Sequence, residues 1–338
     1  MRLISFRYID RRARAGVLLP GAVIDLAAAA ALVFEDQEDA SWELLDVLRG
    51  THDGMGVEGA SMIAEAVVEQ LGILYENEIV YAGDGALSIG GAEMVLPLDE
   101  VTLLAPLPLP PSLRDFYAFE DHVASAARIR GRHVPPAWYD FPAFYFGNHG
   151  AIYGPDAHIP LPHTAELDYE LEVACVIGRS GRNIAEEDAL DYIAGYTLMN
   201  DWSARDIQRE EVSIGLGPAK AKDFATSLGP WLVTPDELED VLLSDGRYNL
   251  TVVARVNGVE RSRGNLRDMF YSFAQLIARA SQDATLQPGD VIGSGTVGGG
   301  CLLELTGGNG PWLVAGDVVE LEGTGLGTLR NTIGERDD

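Results

Sequence analysis

Two glutamates stand two residues apart in an otherwise largely apolar run, Leu167-Asp168-Tyr169-Glu170-Leu171-Glu172-Val173, which continues through Ala174, Cys175, Val176 and Ile177. The run has the composition of a strand, and alternate side chains of a strand share a face. Glu170 and Glu172 then point the same way, with Cα atoms about 7 Å apart. Two anions on a face that water does not simply wash repel each other unless a cation lies between them. A further carboxylate, Asp201, follows in Met199-Asn200-Asp201-Trp202. Oxygen ligands converging from separate segments suit a hard divalent ion such as Mg²⁺, Mn²⁺ or Ca²⁺.

Charge narrows the possible partners. The 338 residues carry 24 Lys+Arg against 52 Asp+Glu, a formal net charge of −28. Such a surface repels nucleic acid and anionic membranes, so neither is expected as a partner. An anionic substrate would need a metal and a few cations to overcome this field locally. Both cysteines, Cys175 and Cys301, lie in apolar runs and read as buried thiols of a reducing compartment, not a disulfide. No apolar signal core follows Met1, and the block Ala27 to Phe34 is too short to span a bilayer. A cytoplasmic protein is expected.

Short β signals open the chain at Leu3 to Tyr8, Ala15 to Leu19 and Ala22 to Leu26, with Pro20-Gly21 as a turn. Ser41 is placed to cap a helix over Trp42 to Leu48. Ser61 begins a helical run with Ile63, Ala66, Val67, Leu71 and Leu74 in register. The proline-rich stretch from Ala105 to Pro111 has little helix or strand potential and reads as a connector. It divides a small N-terminal α+β unit, 1–105, from a β-rich unit, 106–338. In the second unit strands are expected at Asp168 to Ile177, Ala194 to Asn200, Trp231 to Thr234, Leu250 to Val256, Val291 to Gly293 and Val318 to Glu322. Helices are expected at Glu186 to Tyr192, after Asp201, and at Met269 to Ala280. Strands outnumber helices without alternating with them, which favours a mixed, β-rich α/β fold over a doubly wound nucleotide-binding fold.

Several segments carry chemistry. Asp115-Phe116-Tyr117-Ala118-Phe119-Glu120-Asp121-His122 offers a carboxylate, a phenol and an imidazole in one stretch. Imidazole is suited to general-base work near neutral pH, although alone this segment reads more readily as a helix start with a solvated histidine. Asp201 could also be a helix cap, while Arg205 and Gln208 are three apart and share a helical face. Lys220 and Lys222 form a pair in a lysine-poor chain. Gly293-Ser294-Gly295-Thr296-Val297-Gly298-Gly299-Gly300 lacks the lysine of a phosphate loop and reads as a tight backbone approach beside a pocket. Glu304, in Cys301-Leu302-Leu303-Glu304-Leu305, reads as a carboxylate in an apolar strand that needs a partner or an open edge.

Together these segments resemble the fumarylacetoacetate hydrolase family. The residues that carry the likeness are Asp115-Phe116-Tyr117 with His122, Glu170-x-Glu172, the run from Met199 to Gln208, Lys222-Asp223-Phe224, Ser294-Gly295-Thr296 and Glu304. They occur in the family's order from about residue 112 to the C-terminus. The resemblance implies a β-roll, or mixed β-sandwich, catalytic domain preceded by a small accessory domain, usually as a homodimer. It implies that Asp115, Glu170, Glu172 and Asp201 ligate a divalent metal and that His122, paired with Glu304, is the base. It adds Lys222 to the catalytic set and lines the substrate site with Tyr117, Arg205, Gln208 and Thr296. Further family tyrosines have no counterpart in this reading, their nearest positions being Asn148 and Val212, and the arginine following His122 stays open among Arg128, Arg130 and Arg132. The implied reaction is metal-dependent hydrolysis of a C–C bond in a diketo acid, such as fumarylacetoacetate or an acylpyruvate, in catabolism of aromatic or related compounds. Decarboxylation, hydration or isomerisation of a 2-oxo acid is the alternative, and a non-enzymatic metal- or metabolite-binding protein is a second class.

Overall fold

A computed structural model describes residues 1–9, 12–34, 42–50, 56–70, 87–89, 92–215 and 217–336. Among these, one sheet of thirteen strands and one of five form the framework. The strand Leu171–Ile177 lies in the larger sheet, antiparallel to both Ile193–Asp201 and Val291–Gly293. Every residue of it is buried. Leu171, Val173, Cys175 and Ile177 join a core that includes Val252, Ala254, Val319 and Leu321 of the five-stranded sheet. Ala174 and Val176 point into a second core with Leu3, Val17, Ile24 and Ile63. The period-2 alternation thus places apolar groups against both layers. Each large apolar side chain so buried contributes about 1.5–3 kcal/mol.

The N-terminal strands extend the same sheet: Arg2–Arg7 pairs with Thr226–Val233 across the expected connector. Past it, Leu113–Phe116 runs parallel to Val291–Gly293 and antiparallel to Phe144–Phe146. These neighbours bring Asp115, Gly293 and Tyr145 to one place. No helix among the described residues is long and apolar enough to cross a membrane.

Several element boundaries move for local reasons. Asp25 ends the strand Ala22–Asp25, because its carboxylate accepts N–H bonds from Ala27 and Ala28 and starts a helix at Leu26. The helix expected from Ser61 runs over Gly56–Gln70. The proposed Ser41 cap, Leu71 and Leu74 lie outside the described residues. The expected strand at Trp231 begins earlier, as Thr226–Val233. Glu186–Tyr192 is a 3₁₀-helix. The helix expected from Met269 starts at Phe273, where Ser272 and Gln275 form a reciprocal capping box.

Two expectations need correction. The strand expected over Asp168 to Ile177 is interrupted: Leu167–Asp168 pairs with Ser203–Ala204, and the main ladder resumes at Leu171. Between them, the Glu170 N–H donates to the Asn200 side chain. Glu304 is not in a strand but in the helix Leu302–Thr306. The cause is Asp168, whose carboxylate oxygens accept the N–H groups of Leu302 and Leu303, supplying the missing partners of a helix start. Both cysteines are buried and free.

Candidate active site and carboxylate cluster

Asp115, Glu170, Glu172 and Asp201 converge at the end of the large sheet, each offering an oxygen within 4.8 Å of the others. Strand register makes this possible. Asp115 sits on Leu113–Phe116 opposite Gly293, Glu172 pairs with Met199, and Asp201 ends its strand opposite Thr226. Gly293 is needed there, because a Cβ would stand 2.5 Å from the Asp115 carboxylate and 2.6 Å from Met199. Gly295 adopts φ +78°, and a Cβ would press within 2.4 Å of the Phe116 carbonyl. This close approach carries Thr296 to Glu172, whose Oε1 accepts its hydroxyl at 3.2 Å.

The electrostatics are unequal across the cluster. Burial pushes the Glu172 carboxyl well above its usual range, reinforced by Asp115 and Glu170. Asp115 is raised likewise, by burial and the Asp201 charge. Glu170 goes the other way. Burial would raise it, but the Lys222 and Arg205 cations hold it far below the ordinary carboxylate range. Lys222 Nζ lies between Glu170, at 2.5 Å, and Asp201. Arg205 Nη2 is 2.8 Å from Glu170 Oε1, close enough for a charge pair but not aligned as a hydrogen bond. Tyr145 donates its hydroxyl to Asp201 at 2.6 Å.

Two oxygens of the four-carboxylate cluster remain without a hydrogen-bond partner: Asp115 Oδ1 and Glu172 Oε2, both fully buried. A buried carboxylate oxygen without a donor is costly, and a cation among four such groups removes the cost. The donor set is all oxygen, so it fits a hard divalent ion.

Beside the cluster, His122 Nδ1 lies 2.6 Å from Glu304 Oε2. The Gly299 N–H donates to the other oxygen of Glu304 at 3.2 Å. The Tyr117 ring meets the imidazole edge-on, with centroids 5.3 Å apart. A cavity of about 280 Å³ opens over both groups. Asp115, Tyr117, His122, Glu170, Glu172, Arg205, Gln208, Lys222 and Thr296 all reach its wall, whereas Asp201 and Glu304 stand behind Lys222 and His122. Arg205 also donates through Nη1 to the Gln208 side chain at 3.1 Å, as their shared helical face requires. Lys220 points outward, its side chain 75% exposed, and pairs with Asp223.

Two residues, Tyr145 and Asp168, escaped the sequence reading, and a third, Arg130, was left open by it. Tyr145 lines the cavity although no tyrosine was expected beyond Tyr117, and only the pairing of its strand with Asp115 brings it there. Arg130, among the three arginines left open, is the one that reaches the cavity. Asp168 receives Arg205 Nε at 2.8 Å while capping the helix that bears Glu304. A signal for it was present, since Asp168 alternates with Glu170 and Glu172.

The sequence from 112 to 334 matches the family model described as Fumarylacetoacetate (FAA) hydrolase C-terminal. The chain belongs to the fumarylacetoacetate hydrolase family. Curated members that the chain resembles differ in reaction, from tautomerase to hydrolase to isomerase/decarboxylase. An oxaloacetate tautomerase of Bacillus subtilis (strain 168) is 38% identical over 173 residues, 51% of this chain and 53% of the relative. The chain thus spans about half the length of that curated relative. A fumarylacetoacetate hydrolase from the psychrophile Exiguobacterium antarcticum is 26% identical, with a TM-score of 0.68 over 99% of this chain and 100% of the other. A maleylpyruvate hydrolase from Sphingobium sp. SYK-6, solved with manganese(II) and pyruvate, shares the fold at 22% identity and TM-score 0.68, with 100% of each chain covered. The family's mixed α/β, β-rich fold therefore extends over the whole chain.

Proposed function

We propose that this protein hydrolyses a C–C bond in a diketo acid of the acylpyruvate or fumarylacetoacetate kind. The observation that carries the reading is the His122–Glu304 pair, 2.6 Å apart at the wall of a cavity that also holds the four-carboxylate cluster. Asp115, Glu170, Glu172 and Asp201 would hold a divalent ion. When bound, it supplies Lewis acidity toward the oxygens of a 2-oxo acid.

The chain's own groups account for the proton traffic. Glu304 fixes the ring with the Nδ1 proton directed at its carboxylate, which leaves His122 Nε2 to take a proton from water. The hydroxide so formed adds to the carbonyl carbon beyond the methylene, making a C–O bond. The C–C bond then breaks, its electron pair passing to the methylene carbon as an enolate. The imidazolium of His122 returns the proton to that carbon, giving a carboxylic acid and a 2-oxo acid or ketone. Lys222 and Arg205 place positive charge beside the oxygens where negative charge develops. Both stay protonated: burial would depress them, but Asp201 and Glu170 outweigh it for Lys222, and Asp168 and Glu170 outweigh it for Arg205.

A second reading is keto–enol tautomerisation of a 2-oxo acid such as oxaloacetate, favoured by the 38% identity to the tautomerase of Bacillus subtilis. The same His122 would then remove a C–H proton, without adding water. The deciding assay follows diketone absorbance with acylpyruvates, fumarylpyruvate and fumarylacetoacetate in Mn²⁺ and in EDTA. Metal-dependent loss with two acids as products supports hydrolysis. Turnover of enol-oxaloacetate alone would replace it with the second reading.

A further inference from the structure

The catalytic pair has a third neighbour that the proposed reaction does not use. Cys301 Sγ lies 3.5 Å from Glu304 Oε2, the same oxygen that meets His122 Nδ1 at 2.6 Å. Imidazole nitrogen, thiol sulfur and carboxylate oxygen all fall within 4.8 Å of one another. Donors around a tetrahedral Zn²⁺ sit about 2.0–2.3 Å from the ion, hence roughly 3.3–3.8 Å apart. Shifts of an ångström or less would bring the three donors to that geometry. Cys301 is wholly buried and His122 nearly so, at 0% and 4% exposure, while the His122 ring forms part of the cavity wall.

We propose that His122, Cys301 and Glu304 form an inhibitory site for a thiophilic divalent ion, Zn²⁺ in the first place, separate from the four-carboxylate cluster. Two considerations carry it. Charge balances, since a thiolate and a carboxylate cancel a 2+ ion and a neutral imidazole completes the set, which keeps the cost of a buried ion low. Donor softness separates the two clusters: nitrogen and sulfur favour Zn²⁺, whereas the all-oxygen set favours Mg²⁺ or Mn²⁺. On binding, the Cys301 thiol gives up its proton to solvent and a sulfur–metal bond forms, with no change of oxidation state. A neutral imidazole bound through Nδ1 carries its proton on Nε2, so it has no lone pair left to accept one. Ion binding is independent of the reaction proposed above, whereas the inhibition rests on His122 as base.

The test uses Mn²⁺-saturated protein titrated with Co²⁺, a spectroscopic stand-in for Zn²⁺. A near-ultraviolet thiolate-to-cobalt band saturating at one ion per chain is expected, bleached by Zn²⁺ and missing from both Cys301→Ser and Cys301→Ala. Cys175 stays in both variants as an internal control. With a turnover assay, Zn²⁺ should lower kcat at least tenfold with KM unchanged. Each variant, measured against its own zinc-free rate, should lose that sensitivity. No band in the native chain, or a band that survives in the variants, overturns the site. A Cys301-dependent band without loss of turnover upholds the site and overturns the inhibition.

Discussion

Replacing Glu172 with glutamine should stabilise the metal-free protein while impairing metal binding. Glu172 is 0% exposed, one of its oxygens has no partner, and three other carboxylates lie within 4.8 Å of it. With no cation present, burial and the neighbouring Asp115 and Glu170 charges favour its protonated form, holding its carboxyl well above the ordinary range. The unfolded chain ionises within that ordinary range. Leaving a buried carboxylate oxygen without a partner costs about 1–3 kcal/mol, and the proton taken up on folding makes that cost grow with pH. Glutamine escapes this cost. Its amide oxygen can still accept from Thr296, and its NH₂ can donate toward the unpartnered Asp115 Oδ1.

The sign with pH follows. A raised carboxyl binds more protons folded than unfolded, so its cost is absent below the ordinary carboxylate range and grows as pH rises. In EDTA, Glu172→Gln should melt about 2–6 °C above the native protein at pH 7, with the gap closing toward pH 4.5. Saturating Mn²⁺ should reverse the order, since an ion at about 1,000 times its Kd adds about 4.1 kcal/mol to the native protein. Thermal melts at several pH values, with and without EDTA, decide the matter. A variant less stable than the native protein in EDTA at pH 7, together with no response of either to Mn²⁺, would refute an uncompensated carboxylate cluster.

Other outcomes follow from the same geometry. His122→Ala should lower kcat at least about 100-fold, and Glu304→Gln should add little on top of it, if the proposed mechanism makes the two one proton-handling unit; steady-state rates of the single and double variants test this. Asp168→Asn removes the anion facing Arg205 and weakens the cap of the Glu304 helix. It should cost about 3–5 kcal/mol in urea unfolding and depress turnover even where folded protein is recovered. The stabilisation conferred by Mn²⁺ should grow with pH, because the ion must displace protons from Asp115 and Glu172 into solvent, measurable as the melting difference between Mn²⁺ and EDTA. Gly293→Ala should abolish metal-dependent stabilisation, because its Cβ would enter the space of the Asp115 carboxylate.

What could be read in the sequence is what depends on local spacing. The alternation through Leu171–Ile177 encodes a strand buried on both faces, and it aims Glu172 away from the Leu171 and Val173 side. The three-residue spacing of Arg205 and Gln208 encodes a shared helical face, realised in their hydrogen bond. What could not be read depends on contacts between distant segments. Glu304 has a strand's apolar neighbours, yet a carboxylate 136 positions earlier, Asp168, starts a helix there. Tyr145 is an unremarkable aromatic until its strand pairs with the one bearing Asp115.

That dependence bears on how the site is held together. Asp168 is a single buried carboxylate with three donors: Arg205 Nε and the N–H groups of Leu302 and Leu303. Arg205 in turn faces Glu170, and Leu302–Thr306 carries Glu304 to His122. One side chain therefore ties the cationic wall of the cavity to the His122–Glu304 pair. Neither end can shift without disturbing a buried charge, whose loss of a partner costs several kcal/mol. The sheet fixes Asp115, Glu172 and Asp201 by register, whereas the Glu304 partner of His122 is held through Asp168. Changes at Asp168 should therefore uncouple turnover from metal binding, leaving Mn²⁺-dependent stabilisation while the rate falls.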